Sequence, residues 1–89
     1  MPVISQFYGI LIYIYKEVGW HHNKPHVHAK YNEYEASIII DTGEWEGNMS
    51  LKQRKLIDAW IQIHKEELNA VWYAYNNDGE LLKIKGLEW

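Results

Sequence analysis

The chain has 89 residues, a formal net charge of −3, 15% aromatic residues and no cysteine. That length suits one domain, 1–89, and is too short for two, while the missing thiols exclude disulfides and any cysteine-based zinc centre. The negative balance argues against strong, sequence-independent attraction to nucleic acid and leaves room for a local basic patch.

A domain of this size buries only about two-thirds of its unfolded surface. Five Trp and seven Tyr are more than one small core requires, so part of that aromatic surface is expected on a working face or an oligomer contact. Met1–Gln6 carries no basic leader and no small-residue cleavage pattern. The longest apolar run, Phe7–Tyr15, is about half the ~20 residues of a membrane helix. The expectation is a cytoplasmic protein with no membrane association.

Phe7–Lys16 is β-branched and aromatic and reads as one strand. Tyr8, Ile10, Ile12 and Ile14 fall on one face, and Phe7, Gly9, Leu11, Tyr13 and Tyr15 on the other. With both faces apolar, the strand is expected inside the sheet. Glu17–Pro25 is a loop, in which Pro25 biases Lys24 toward extended geometry.

His26–Tyr31 and Tyr34–Asp41 form a hairpin around Asn32-Glu33. Asn tolerates positive φ there, whereas Glu fits the second position of a type I′ turn poorly. The implied pairs are Tyr31–Tyr34, Lys30–Glu35, Ala29–Ala36, His28–Ser37, Val27–Ile38 and His26–Ile39. Val27, Ala29, Ala36, Ile38 and Ile40 then make a core face. The opposite face is His26, His28, Lys30, Glu35, Ser37 and Asp41, interrupted by Ile39. A one-residue slip would bury the histidines and expose the aliphatics, so the register is well specified.

Asp41-Thr42-Gly43 is a turn and Glu44–Gly47 a short edge strand. Ser50-Leu51-Lys52-Gln53 matches a capping box and opens one long helix. Its stripe runs Ile57, Ile61, His64, Leu68, Trp72, Tyr75, with Trp60 and Val71 beside it, and Asn76-Asn77-Asp78-Gly79 ends it. Leu81–Lys85 alternates and reads as a final strand. The fold class is α+β: an antiparallel three- to five-stranded sheet built from hairpins, one long amphipathic helix on one face, and a short C-terminal strand.

Four histidines, His21, His22, His26 and His28, lie within eight positions. His26 and His28 are two apart and share a strand face. Such a pair suits acid–base work near neutral pH, or metal binding with Asp41 or Glu35 completing the shell, or nothing beyond a solvated strand. Tyr13 and Tyr15, with Trp20 in the following loop, offer rings for stacked bases, and Lys16, Lys24 and Lys30 could meet phosphates. The same aromatics would equally suit a dimer or partner surface. His64 on the helix stripe is expected to be a core residue with a partnered nitrogen. Lys52, Arg54 and Lys55 sit at the helix end that its dipole disfavours for cations and read as a solvated face. No Gly-rich phosphate loop, nucleophile elbow, His-Glu-x-x-His helix or Ser/His/Asp arrangement occurs, and no cofactor is implied.

Met1-Pro2-Val3-Ile4-Ser5-Gln6-Phe7-Tyr8-Gly9-Ile10, then His22-Asn23-Lys24-Pro25-His26-Val27-His28-Ala29, then Tyr31-Asn32-Glu33-Tyr34-Glu35-Ala36 and Thr42-Gly43 follow in order. With Trp60, His64, Glu67-Leu68 and Trp72, they resemble a small bacterial domain-of-unknown-function family, number four-one-six-zero. That family usually reads His-x-Pro-Pro-His-Phe-His-Ala, then Tyr-Gly-Glu-Tyr. Here Lys24 replaces the first Pro, Val27 the Phe and Asn32 the Gly. His22, His26 and His28 keep the three histidine positions, and His21 is extra. The resemblance implies gene neighbours from a second domain-of-unknown-function family, number two-four-four-two, in pairs read as toxin–antitoxin modules. The expectation is therefore a toxin-like component with a cognate antitoxin-like partner. In it His22, His26 and His28 would be catalytic, and Lys24, Lys30, Tyr13, Tyr15, Trp20, Glu35 and Asp41 would hold ligand, possible substrates including RNA. A protein-binding module using the aromatic face, or a histidine metal site, is the alternative.

Overall fold

Period-two patterning along the first half of the chain becomes a five-stranded antiparallel meander, and the second half covers one of its faces with helix. The computed structural model describes residues 3–15 and 24–87. Its elements are β1 (Val3–Phe7), β2 (Ile10–Tyr13), β3 (His26–Tyr31), β4 (Tyr34–Ile39), β5 (Trp45–Gly47), α1 (Leu51–Ile63) and α2 (Lys65–Asn76). The strands lie in the order β1-β2-β3-β4-β5.

The single strand expected over Phe7–Lys16 is a correction: the chain reverses inside it. Tyr8 and Gly9 have φ of 48° and 79°, the two left-handed values a type I′ turn needs, and Phe7 pairs with Ile10 across them. The reversal brings Phe7 onto the same core as Ile10, Ile12 and Ile14, where straight alternation would have opposed them. Gly9 was the signal, since an isolated glycine in a strand pattern often marks a break. β2 lies inside the sheet, as its two apolar faces require.

The β3–β4 hairpin has the expected register at all six pairs. Asn32 takes a φ of 52° and Glu33 stays negative, which is the type II′ pattern and resolves the poor fit of Glu to a type I′ turn. Val27, Ala29, Ala36, Ile38 and Ile40 are all buried. β4 stops at Ile39, two residues before the expected end. Beyond it the Ile40 N–H donates to the Pro25 carbonyl at 3.1 Å, and the Gly43 N–H closes the turn on the Ile39 carbonyl at 2.9 Å. β5 pairs with β4 at the far edge. A Cβ on Gly47 would stand 2.7 Å from the Glu35 carbonyl oxygen, so only glycine allows that approach. Trp45 Nε1 donates to Asp58 Oδ1 at 2.8 Å, tying this edge to α1.

The one long helix is also corrected. It bends at His64 (φ −107°, ψ 19°) into α1 and α2. The amide bonds from His64 to Trp60 and from Leu68 to His64 persist at 3.0 and 2.8 Å, so the ladder is deflected and not cut. A straight helix over the same residues would reach about 39 Å, longer than the 33 Å greatest extent of the molecule. The bend keeps Ile57, Trp60 and Ile61 of α1 and Leu68, Val71 and Trp72 of α2 on one core. His64 sits at its rim with Nδ1 3.0 Å from Glu67 Oε1. Ser50 is the N-cap of α1, but its hydroxyl contacts the Gln53 side chain and caps no backbone N–H, so the capping box does not form. Asp78, with φ of 62°, and the bond from the Gly79 N–H to the Ala74 carbonyl end α2.

Leu81–Lys85 is not a strand, a third correction. Ile84 is buried, its N–H donates to the Ile4 carbonyl at 2.7 Å, and Trp60 Nε1 donates to the Lys85 carbonyl at 2.9 Å. Ile84, the packing of Leu81 against the core and these hydrogen bonds anchor the segment, which makes no ladder.

Tyr8 holds a left-handed φ that costs a non-glycine residue about 1–2 kcal/mol. Tyr8→Asn should raise the free energy of unfolding by about 0.5–1 kcal/mol, Asn-Gly being the preferred type I′ pair. Gly9→Val should lower it by at least about 1 kcal/mol. Urea titration followed by tryptophan fluorescence reads both, and an unchanged midpoint for both variants would show that the turn is unstrained.

Candidate functional site: an imidazole–tyrosine cluster on the open sheet face

Because α1 and α2 cover one face of the sheet, every second residue of each strand is turned to the other. The register aligns Val3, Tyr13, His28, Ser37 and Glu46 in one row across all five strands. Leu11, Lys30 and Glu35 form the next row, and His26 pairs with Ile39 on the other side of His28.

The rings gather around His28. Tyr13 stacks on it at 5.5 Å with planes 16° apart, and Tyr15 meets it edge-on at 4.8 Å. His26 stands 5.1 Å from it and in turn lies 6.1 Å from Trp72 of α2. Asn76, buried at the end of α2, donates to the Trp72 carbonyl at 3.0 Å and reaches the Tyr15 carbonyl at 3.5 Å. The cluster is thus fastened to the helical layer around the end of the sheet.

His26 Nδ1 lies 2.8 Å from the Lys24 carbonyl oxygen. A carbonyl only accepts, so Nδ1 carries the proton and Nε2 is the basic nitrogen of the neutral ring. Backbone anchoring of this kind fixes both tautomer and ring orientation. Tyr13 is 3% exposed. Burial first, then the Glu35 carboxylate, Tyr15 and a hydrogen bond with Tyr15 push its phenol up to about 12. It stays protonated at neutral pH and supports its neighbours as a packed ring, whereas Tyr15, 39% exposed, presents surface to solvent.

Lys30 and Glu35 pair across the strands at 3.9 Å, both well exposed. Such a pair contributes little stability. Asp41, placed by sequence on the histidine face, belongs elsewhere: its Oδ1 accepts from Asn69 at 2.9 Å and its carbonyl from Lys65 at 3.0 Å, both on α2. Lys24 is exposed beside His26. Among the described residues no group of three or more His, Asp or Glu is gathered to hold a metal ion. His22 and Trp20, with His21 and Lys16, lie outside the described residues. Trp72 and Asn76 are the members that sequence reasoning missed. They read as core stripe and helix stop, and only helix–sheet packing brings them to His26 and Tyr15.

The chain belongs to the family described as Domain of unknown function (DUF4160), whose model matches residues 9–73. The match takes in the β3–β4 hairpin with His26, His28 and Lys30. No curated protein and no solved structure matches the chain. Among the described residues, no helix is long and apolar enough to cross a membrane.

The raised Tyr13 phenol has a consequence for alkaline stability. Its pKa is about 12 in the folded chain against 10.0 unfolded, so above pH 10 the unfolded state releases the proton first and stability falls as pH rises. The loss between pH 10 and 12 should approach about 2–3 kcal/mol from this group. Tyr13→Phe should remove that share, so the urea midpoint of the unsubstituted protein should fall relative to that of the variant as pH rises from 10 to 12. Parallel curves would show that Tyr13 ionises like a solvated phenol.

Proposed function

We propose that this chain is the toxin-like component of a bacterial toxin–antitoxin pair and acts on RNA, with His26 and His28 as a metal-free acid–base pair. The observation that carries the chemistry is the anchoring of His26 Nδ1 on the Lys24 carbonyl, 2.8 Å, with a second imidazole 5.1 Å away. An oriented base next to a second titratable ring is what internal transesterification of RNA requires. His26 takes the proton of a ribose 2′-hydroxyl as that oxygen attacks the adjacent phosphorus. The bond from phosphorus to the 5′-oxygen breaks, and His28, as imidazolium, gives that oxygen a proton. The products are a 2′,3′-cyclic phosphate and a 5′-hydroxyl, and no water or cofactor is consumed.

Lys24 and Lys30 flank the histidines along the strand and supply cations for the phosphate. Tyr15 offers an exposed ring on which a base can stack. The net charge of −3 makes binding depend on these local contacts. A cognate antitoxin-like protein seated on the same face would cover His26 and Tyr15 together. In a chain that cleaves nothing, that face would serve as a protein-docking surface alone.

Induced expression of the chain by itself should arrest growth, and His26→Ala or His28→Gln should relieve the arrest. In vitro, the purified protein should cut an unstructured RNA oligomer in the presence of EDTA and leave a 2′,3′-cyclic end. Either substitution should slow cutting by on the order of 10²–10⁴, and a 2′-deoxy residue at the cut site should abolish it. Circular dichroism checks that the variants stay folded. Normal growth with soluble protein present, or cutting that survives both substitutions, would sink the reading.

A further inference from the structure

Alternation puts Lys30, His28 and His26 on the open face of β3. The pairing of β3 with β4 runs one residue further, because the Ile40 N–H donates to the Pro25 carbonyl at 3.1 Å. Pro25 is buried like Val27 and Ala29, so Lys24 falls at the parity of His26. A straight line of side chains results: cation, imidazole, imidazole, cation, at every second residue. Two residues of strand advance about 6.8 Å, close to one nucleotide of extended single-stranded backbone. Lys24 to Lys30 spans about 20 Å, or three such steps.

The ends of the line are open to solvent. Lys24 is exposed, and the Lys30 side chain is 43% exposed. Tyr15, 39% exposed, stands beside the line with its ring 4.8 Å from His28. Glu35 lies 3.9 Å from Lys30, so a phosphate arriving there competes with a carboxylate.

We propose that the ligand of this face is an extended single strand of RNA running along β3, with Lys24 and Lys30 holding phosphates three apart. The proposal deepens the reading of the chain as acting on RNA and rests on it. His26 lies against the backbone between the two held phosphates, and Tyr15 takes one unpaired base. A duplex does not fit. Its bases are paired and stacked on one another, which leaves Tyr15 no ring face to meet, and its strands coil away from a straight line of side chains.

The test uses a fluorescent 2′-O-methyl RNA pentamer, which has four internal phosphates and cannot be cut because its 2′-oxygens are blocked. Anisotropy against the full chain should show saturable binding, tighter than that of the corresponding trimer. A blunt RNA duplex should bind at least about fivefold more weakly than its separate strands, the loss of one stacked base. Lys24→Gln and Lys30→Gln, checked for folding by circular dichroism, should each weaken pentamer binding about two- to fivefold. Each should also flatten its salt dependence, by a slope of about 0.7 per phosphate contact on single strands. Glu35→Gln should tighten binding. An uncharged methylphosphonate at one terminal linkage should cost nothing further in Lys24→Gln, and one at the opposite terminal linkage nothing further in Lys30→Gln. Both lysines answering to the same or neighbouring linkages, equal binding of trimer and pentamer, equal binding of the duplex, or no saturable binding would overturn the proposal. Cutting is scored separately on unmodified RNA. Cutting without this linkage pattern condemns the track alone, and the pattern without cutting condemns the acid–base chemistry alone.

Discussion

Side-chain parity along the β3–β4 hairpin is the constraint on which the rest of the molecule depends. Val27, Ile38 and Ile40 are fully buried, and each contributes about 1.5–3 kcal/mol by leaving water. A slip of one residue would return all of them to solvent and forfeit a large part of the about 5–15 kcal/mol that holds a typical domain together. The same slip would drive two imidazoles and a lysine beneath the helices. Core formation and site formation are therefore one event: the helices can only dock on the face opposite His26 and His28.

From that parity the cluster assembles by adjacency. β2 lies beside β3, so Tyr13 stacks on His28. The two-residue turn at Tyr8-Gly9 adds β1 on the far side of β2 and shields its edge. The edge-on contact with His28, the nearby Trp72 ring and the backbone anchor at Lys24 leave His26 little rotational freedom. An oriented imidazole is worth more to proton transfer than a mobile one, because its geometry is set before a substrate arrives. Tyr13 sits under the cluster with a phenol too weakly acidic to exchange protons at neutral pH.

The two edges of the sheet are managed differently. β5 ends on a glycine pressed against β4 and is tied to α1 through Trp45 and Asp58. β1 is covered by a segment that makes one backbone bond to it and anchors itself through Ile84. An edge so covered is protected from pairing with another chain.

Much of the architecture could be read from residue order alone. The hairpin register, its core face, the β5 return and the membership of the helical stripe follow from periods of two and 3.6, which are local properties of backbone geometry. The bend at His64 could not be read, because nothing nearby in the chain breaks the helix. The limit is the size of the sheet beneath it. The reversal at Tyr8-Gly9 was masked by an unbroken apolar run, and the Leu81–Lys85 alternation had no neighbouring strand to pair with in full. In the candidate site, His26, His28 and Lys30 were visible as a shared strand face. The position of Asp41 against α2 and the approach of Trp72 and Asn76 to the cluster were not, since they arise between segments far apart in sequence. Local spacing determined which side chains share a face, while long-range packing alone decided which of those faces meet, because the free energy of burial depends on contacts that no single segment contains.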